Sequence, residues 1–313
     1  MAACARPAWP GAVARAVKPA ARPRPAWPRP APARPLLAQM RAYATHRDFG
    51  FRPGGPRDSW IRRAIEFMRE MRRPLLFLAG VGLATSVALP AVLATEPFAA
   101  LERRPAYVVF GLIGINAAVF LAWKNPRLWP QLNKYAVLSR DARTVNLWSM
   151  IGSAFSHQDV FHFAFNMFVL YQFAMPLANV LGTSTFLHLY LNAATASSFG
   201  SIAFAVFSRR MGLVVPPSLG ASGAVYGALG TFCYLFPKAK VGLFFIPLPL
   251  TAWPVFLLFV GYNAAGMYFQ WGRIDYAGHT AGSLFGIAYG WMLYRIAEEK
   301  RRRRQQSLWD WFR

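Results

Sequence analysis

Acidic residues are scarce in this chain. Twelve Asp and Glu stand against 35 Lys and Arg, and only Asp141, Asp159 and Asp275 fall between Glu102 and Glu298. Cysteine is scarcer still. Cys4 and Cys233 cannot build a disulfide framework, and Cys233 lies in an apolar stretch where a thiol packs as a small hydrophobe. No HExxH is present, and the five-apart pair His157 and His162 has no thiol close in sequence, which makes a zinc protease the weaker alternative. No soluble domain is left over to carry a basic face. The net charge of +23 therefore argues poorly for nucleic-acid binding, since Lys and Arg flank apolar runs instead.

Hydrophobic side chains make up 55% of the chain. They come in runs of about 18 residues or more, matching the ~20 residues a helix needs to cross a ~30 Å hydrocarbon layer. Lipid demands internally satisfied backbone, so these runs define an all-α polytopic membrane protein. Seven spans are expected, over 75–94, 106–123, 160–181, 183–206, 219–236, 251–270 and 276–294, the third and fourth divided only by Gly182. The plan is one helix followed by a bundle of six. Segment 44–74 and the loops after the second, fourth and sixth spans carry 16 Lys and Arg, whereas the loops after the first, third and fifth carry 4. Residues 44–74 then lie on the positive side, which in a mitochondrial inner membrane is the matrix. Arg295, Lys300, the arginines at 301–304 and Arg313 add seven charges on the opposite side, mostly in a basic tail over 297–313.

The N-terminus reads separately. Residues 1–43 hold seven Arg, one Lys, nine Pro and no acid, with Arg6-Pro7-Ala8-Trp9-Pro10 repeated as Arg24-Pro25-Ala26-Trp27-Pro28. Such a segment builds no core. It lacks the apolar h-region of a secretory signal and fits a mitochondrial transit peptide, with Arg41, Tyr43 and Ala44 marking a processing site and a mature start near Ala44. Within the mixed-charge segment 44–74, Ser59 to Arg72 reads as an amphipathic helix on the membrane surface, ending at Pro74.

Polar residues converge at the starts of three spans. Ser222 opens the fifth in Gly220-Ala221-Ser222-Gly223, His279 opens the seventh, and His162 and Asn166 lie near the start of the third. These spans run in one direction, so at 1.5 Å per residue all four side chains come roughly 5–10 Å below the same surface. A membrane serine commonly bonds its own backbone or packs as a small residue. A membrane histidine is costly and calls for a watery cavity or a partner. Together they suit acyl transfer, Ser222 attacking a peptide carbonyl and His279 moving its proton to the leaving amine. Asp275 falls in the preceding loop as an N-cap, which leaves the imidazole held by packing. His162 and Asn166 share a helical face and suit an oxyanion pocket with the Ser222 amide, helix-to-helix hydrogen bonds being the alternative. His188 in the fourth span has no polar partner at its depth and reads as structural or interfacial. Gly223 and Gly227, with Gly278, Gly282, Gly286 and Gly290 every four residues, mark a close helix approach. In the sixth span Trp253, Phe256, Phe259, Tyr262 and Phe269 follow the run 244–250, as a movable lateral gate or as aromatics facing lipid.

Three blocks carry a family resemblance: His157 and His162 with Asn166; Gly220-Ala221-Ser222-Gly223 with Tyr226; and Gly278-His279-Thr280-Ala281-Gly282 with Gly286. In order and spacing, over about residues 75–296, the chain resembles a rhomboid intramembrane serine protease of the mitochondrial, presenilin-associated rhomboid-like type. The resemblance implies an extra helix at 75–94 before a six-helix rhomboid core at 106–296. It implies a Ser222/His279 dyad, an oxyanion pocket from His162, Asn166 and the Ser222 amide, Tyr226 stacked on His279, and His157, Gly220, Gly223 and Gly282 in support. It further implies an inner-membrane enzyme with no metal or cofactor. Its substrates would be single-span membrane proteins, including an inner-membrane dynamin-like fusion GTPase and presequence-bearing intermembrane-space proteins. Two departures stand out: Gly278 replaces a more usual Ala, and Leu147-Trp148 stands without a Trp-Arg pair. A rhomboid-like pseudoprotease is the first rival, although that class typically lacks the serine or the histidine. A proton-coupled transporter is the second, and it expects acids in the spans, which hold none.

Overall fold

The structure, a computed structural model, describes residues 58–311 apart from 212, 214, 244, 245 and 273. The expected transit peptide and the start near Ala44 lie outside the described residues, as do residues 44–57 of segment 44–74. The elements are α1 (Asp58–Leu93), α2 (Ala99–Arg103), α3 (Pro105–Ala122), α4 (Trp129–Tyr135), α5 (Ser149–Gly152), α6 (Val160–Leu181), α7 (Thr183–Arg210), α8 (Ser222–Leu235), strands β1 (Lys240–Leu243) and β2 (Ile246–Thr251), α9 (Ala252–Phe269) and α10 (Tyr276–Trp311). Each of the seven expected spans coincides with one of the longer helices. This is an all-α polytopic fold, with one antiparallel hairpin in the run before α9 that the hydrophobic pattern did not announce.

Local chemistry sets the helix ends. Asp159 caps α6 by accepting the His162 N–H at 2.8 Å. Gly182, at φ 79°, supplies the left-handed residue that turns α6 into α7 with no loop. Pro105 opens α3, where its missing N–H costs nothing.

Three boundaries differ from expectation. The surface helix does not end at Pro74: α1 runs unbroken through Pro74 and Pro90 to Leu93, because proline in an apolar helix loses one bond without forcing a stop. The tail at 297–313 is not separate either, since α10 continues to Trp311 with Arg302 and Arg303 paired to Glu298 and Glu299 one turn before. The fifth span shrinks to the 14 residues of α8. By length and composition α1, α3, α6, α7 and α9 are apolar enough to cross a membrane. The remaining two, α8 and α10, have traded bulk for glycine and polar side chains.

That trade has a packing reason. A Cβ on Gly282 would overlap the Gly223 carbonyl, one on Gly286 the Gly227 carbonyl, and one on Gly227 the Ala193 side chain of α7. Backbones of α8 and α10 therefore touch, as small residues at four-residue spacing allow. The buried core around them comes from Leu170, Leu177, Phe186, Leu189 and Tyr190 on α6 and α7. Cys233 is buried in α8, a packing role. On α9, Tyr262, Trp253 and Phe269 are exposed, whereas Phe256 is 3% exposed and packs against Gly230, so the aromatic set does not face one way.

Candidate active site

The first turns of α6, α8 and α10 meet at one end of the bundle. Ser222 is the first residue of α8, and His279 is in the first turn of α10. Nε2 of His279 stands 2.7 Å from the Ser222 Oγ. Its Nδ1 stands 2.8 Å from Oδ1 of Asn263 on α9. The Asn263 Nδ2 donates to the Phe259 carbonyl at 2.8 Å, which leaves Oδ1 to face the ring. The proton of the imidazole is thereby fixed on Nδ1, and the Nε2 lone pair is free to accept from the serine hydroxyl. Tyr226, one turn beyond Ser222, stacks on the imidazole with ring centroids 4.5 Å apart and planes at 26°. The imidazole is thus not held by packing alone: a buried carboxamide orients it.

The segment before Ser222 is held by backbone bonds. Gly220 N–H donates to the Ser153 carbonyl at 2.9 Å, and Ala221 N–H donates to Nε2 of His157 at 3.3 Å. Burial, then the neighbouring His162 ring, push the His157 imidazole down to about 3, so it stays neutral and keeps that lone pair. Gly220 sits at φ 135°, a conformation for glycine, and the point its Cβ would occupy is 3.0 Å from the His162 Nε2 and 3.6 Å from the Ser222 Oγ. His162 and Ser222 thus flank the same spot. The first N–H groups of α8, that of Ser222 among them, have no acceptor within their own helix and carry its positive end. Asn166 is buried on the same face of α6, where its Nδ2 donates to the His162 carbonyl at 2.8 Å. Behind Gly223, whose missing side chain makes room for Ser197, a cavity of about 30 Å³ reaches Ser153, Ser218, Ser222, Asp275 and His279. It is polar and large enough for one water molecule.

Of the residues singled out for chemistry, Ser222, His279, His157, His162, Gly220, Gly223 and Tyr226 border this constellation, and Asn166 is tied to it through the His162 carbonyl. His188 is elsewhere, but it does not lack partners: Nδ1 is 2.9 Å from the Thr85 Oγ1 of α1, and Asn192 donates to that hydroxyl at 2.8 Å. The partner came from the extra helix, 103 residues away. Two further residues were not anticipated, Asn263 and Arg140. An amide inside the apolar run of α9 was the available signal for the first; a lone arginine in a loop gave none for the second. Asp275 does cap α10, accepting the Gly278 N–H at 3.0 Å, and it also pairs with Arg140.

Residues 144–296 match the family model described as Rhomboid domain. The chain is 46% identical over 216 residues to Rhomboid protein 1, mitochondrial, of Saccharomyces cerevisiae, covering 69% of this chain and 62% of that protein. It is 37% identical over 182 residues to the Presenilin-associated rhomboid-like protein, mitochondrial, of Homo sapiens, covering 58% of this chain and 47% of that one. RHOMBOID-like protein 12, mitochondrial, of Arabidopsis thaliana is 33% identical over 165 residues, 48% of each chain. The chain thus spans between about half and three fifths of the length of these relatives.

Proposed function

Since this chain belongs to the rhomboid family and is a mitochondrial membrane protein, we propose that it is an intramembrane serine endopeptidase. The observation that carries the reading is the 2.7 Å contact between His279 Nε2 and Ser222 Oγ, with Nδ1 already committed to Asn263. The Ser222 oxygen attacks the carbonyl carbon of a peptide bond as its proton passes to Nε2. Asn263 Oδ1 accepts from the imidazolium so formed. Negative charge on the carbonyl oxygen meets the Ser222 amide at the positive end of α8, with the His162 ring alongside and Asn166 on the same face. The C–N bond then breaks as Nε2 returns the proton to the amine. Water, activated by the same imidazole, hydrolyses the ester and frees Ser222.

The substrates proposed are proteins with one membrane helix, cut in or near it, at the inner membrane of the mitochondrion. An inner-membrane dynamin-like fusion GTPase and presequence-bearing intermembrane-space proteins are the members of that class to try first. The deciding experiment reconstitutes the full chain in liposomes with a fluorescent single-helix substrate. Cleavage is expected from the wild type and not from Ser222→Ala or His279→Ala, both still folded. A wild type that binds the substrate, leaves it intact and takes no fluorophosphonate label on Ser222 is instead a pseudoprotease.

A further inference from the structure

Arg140 lies in the loop between α4 and α5, yet its side chain is only 7% exposed. Its guanidinium stands 3.0 Å from Oδ2 of Asp275, itself 17% exposed. The same carboxylate accepts the Ser201 hydroxyl of α7 at 2.7 Å and the Gly278 N–H at 3.0 Å, and the Asp275 carbonyl accepts the His279 N–H at 3.0 Å. Asp275 therefore joins a loop, α7 and the first turn of α10. Two residues before Arg140, Leu138 pairs with Ser218 by backbone bonds of 2.8 and 3.1 Å, just upstream of the Gly220 and Ala221 that lead into Ser222. One short segment thus grips both partners of the 2.7 Å contact: Leu138 holds the approach to Ser222, and Arg140 holds the residue that caps the His279 helix.

We propose that Arg140 and Asp275 are positioning residues, and that segment 138–140 sets the separation of Ser222 from His279. The proposal rests on the protease reading above. A cap alone does not need the arginine, because Asn caps a helix as well as Asp. Breaking a buried pair leaves the surviving charge without its partner, and the caps and loop then relax around it. Displacement of a reacting group by about 1 Å costs on the order of 100-fold in rate. Substrate contacts elsewhere in the bundle are untouched.

The test measures the rate of Ser222 labelling by a fluorescent fluorophosphonate, together with kcat and KM for a single-helix substrate, on the full chain in liposomes. Asp275→Asn and Arg140→Gln are expected to lower labelling and kcat together by about 10- to 100-fold with KM within about twofold, and Arg140→Lys to recover most of the loss. Arg209→Gln, which breaks the exposed Arg209–Asp141 pair in the same region, is expected to label at the wild-type rate. Melting curves separate misplacement from unfolding. The proposal is overturned by wild-type labelling in both Asp275→Asn and Arg140→Gln, by a loss confined to KM, or by a loss no larger than the unfolded fraction. Should Arg140→Gln not fold, Asp275→Asn and Arg140→Lys make the same comparison. A wild type that takes no label sinks the protease reading itself, and this proposal with it.

Discussion

Asn263 shows how little a side chain must do to direct an imidazole. Its amide nitrogen is engaged by its own helix, so its oxygen faces His279 and decides which ring nitrogen bears the proton. Asn263→Ala is expected to lower kcat by about 10- to 100-fold, as the loss of a preorganised hydrogen bond does, while fluorophosphonate still finds Ser222 slowly. His157 makes a second residue-scale prediction. Its folded value of about 3 lies below the ordinary imidazole value, so between the two the unfolded chain binds a proton that the folded chain does not. Its share of stability is therefore complete at neutral pH and is lost as pH falls from about 6.5 toward about 3. Melting in detergent micelles across that range should show a shallower acid slope for His157→Gln than for the wild type. At this scale the sequence was readable where chemistry is conspicuous. Ser222 and His279 stand out as a hydroxyl and an ionisable ring at the starts of apolar runs. A neutral amide such as Asn263 has no spacing that ties it to His279, and Arg140 lies 135 positions before its acid, a distance no local pattern bridges.

Among the elements, the contact of α8 with α10 was legible because glycine at four-residue spacing has a geometric meaning. Gly286→Ala should destabilise the fold by about 1–3 kcal/mol, the cost of forcing extra atoms into a packed interface, since its Cβ would overlap the Gly227 carbonyl. Gly111→Ala on α3 has open space around it and should leave the melting temperature unchanged or raise it. Equal effects for the two would mean the helices do not touch as described. Where elements end was less legible. Proline at 74 is a stop signal in water, but in α1 apolar surroundings carry the helix past it. The docking of α1 was hidden as well, because no local pattern links the Thr85 hydroxyl to His188 and Asn192, Met71 to the core beside Leu138, or Glu70 to Arg143. Thr85→Val keeps the shape and removes the hydroxyl. Interhelical hydrogen bonds in lipid contribute about 0.6–2 kcal/mol, so α1 expressed as a separate peptide should be retained less well by the remaining chain when it carries this change.

For the molecule as a whole, the 14 residues of α8 set a length that the bilayer does not share. They span about 21 Å, and the hydrocarbon layer about 30 Å. Were Leu235 placed at the far face, Ser222 would come to rest about 9 Å inside the near one, within reach of water from that side. Approach from the other side is closed by the packed backbones of α8 and α10. In vesicles of uniform orientation, a charged fluorophosphonate that cannot cross lipid should therefore label Ser222 from one face and spare it from the other. Labelling at equal rates from both faces would count against the recessed helix. A truncated helix of this kind would give the proposed cleavage a direction: the new carboxylate and the new amine would both form beside a single aqueous compartment, so the charges born of each cut would never have to travel through oil.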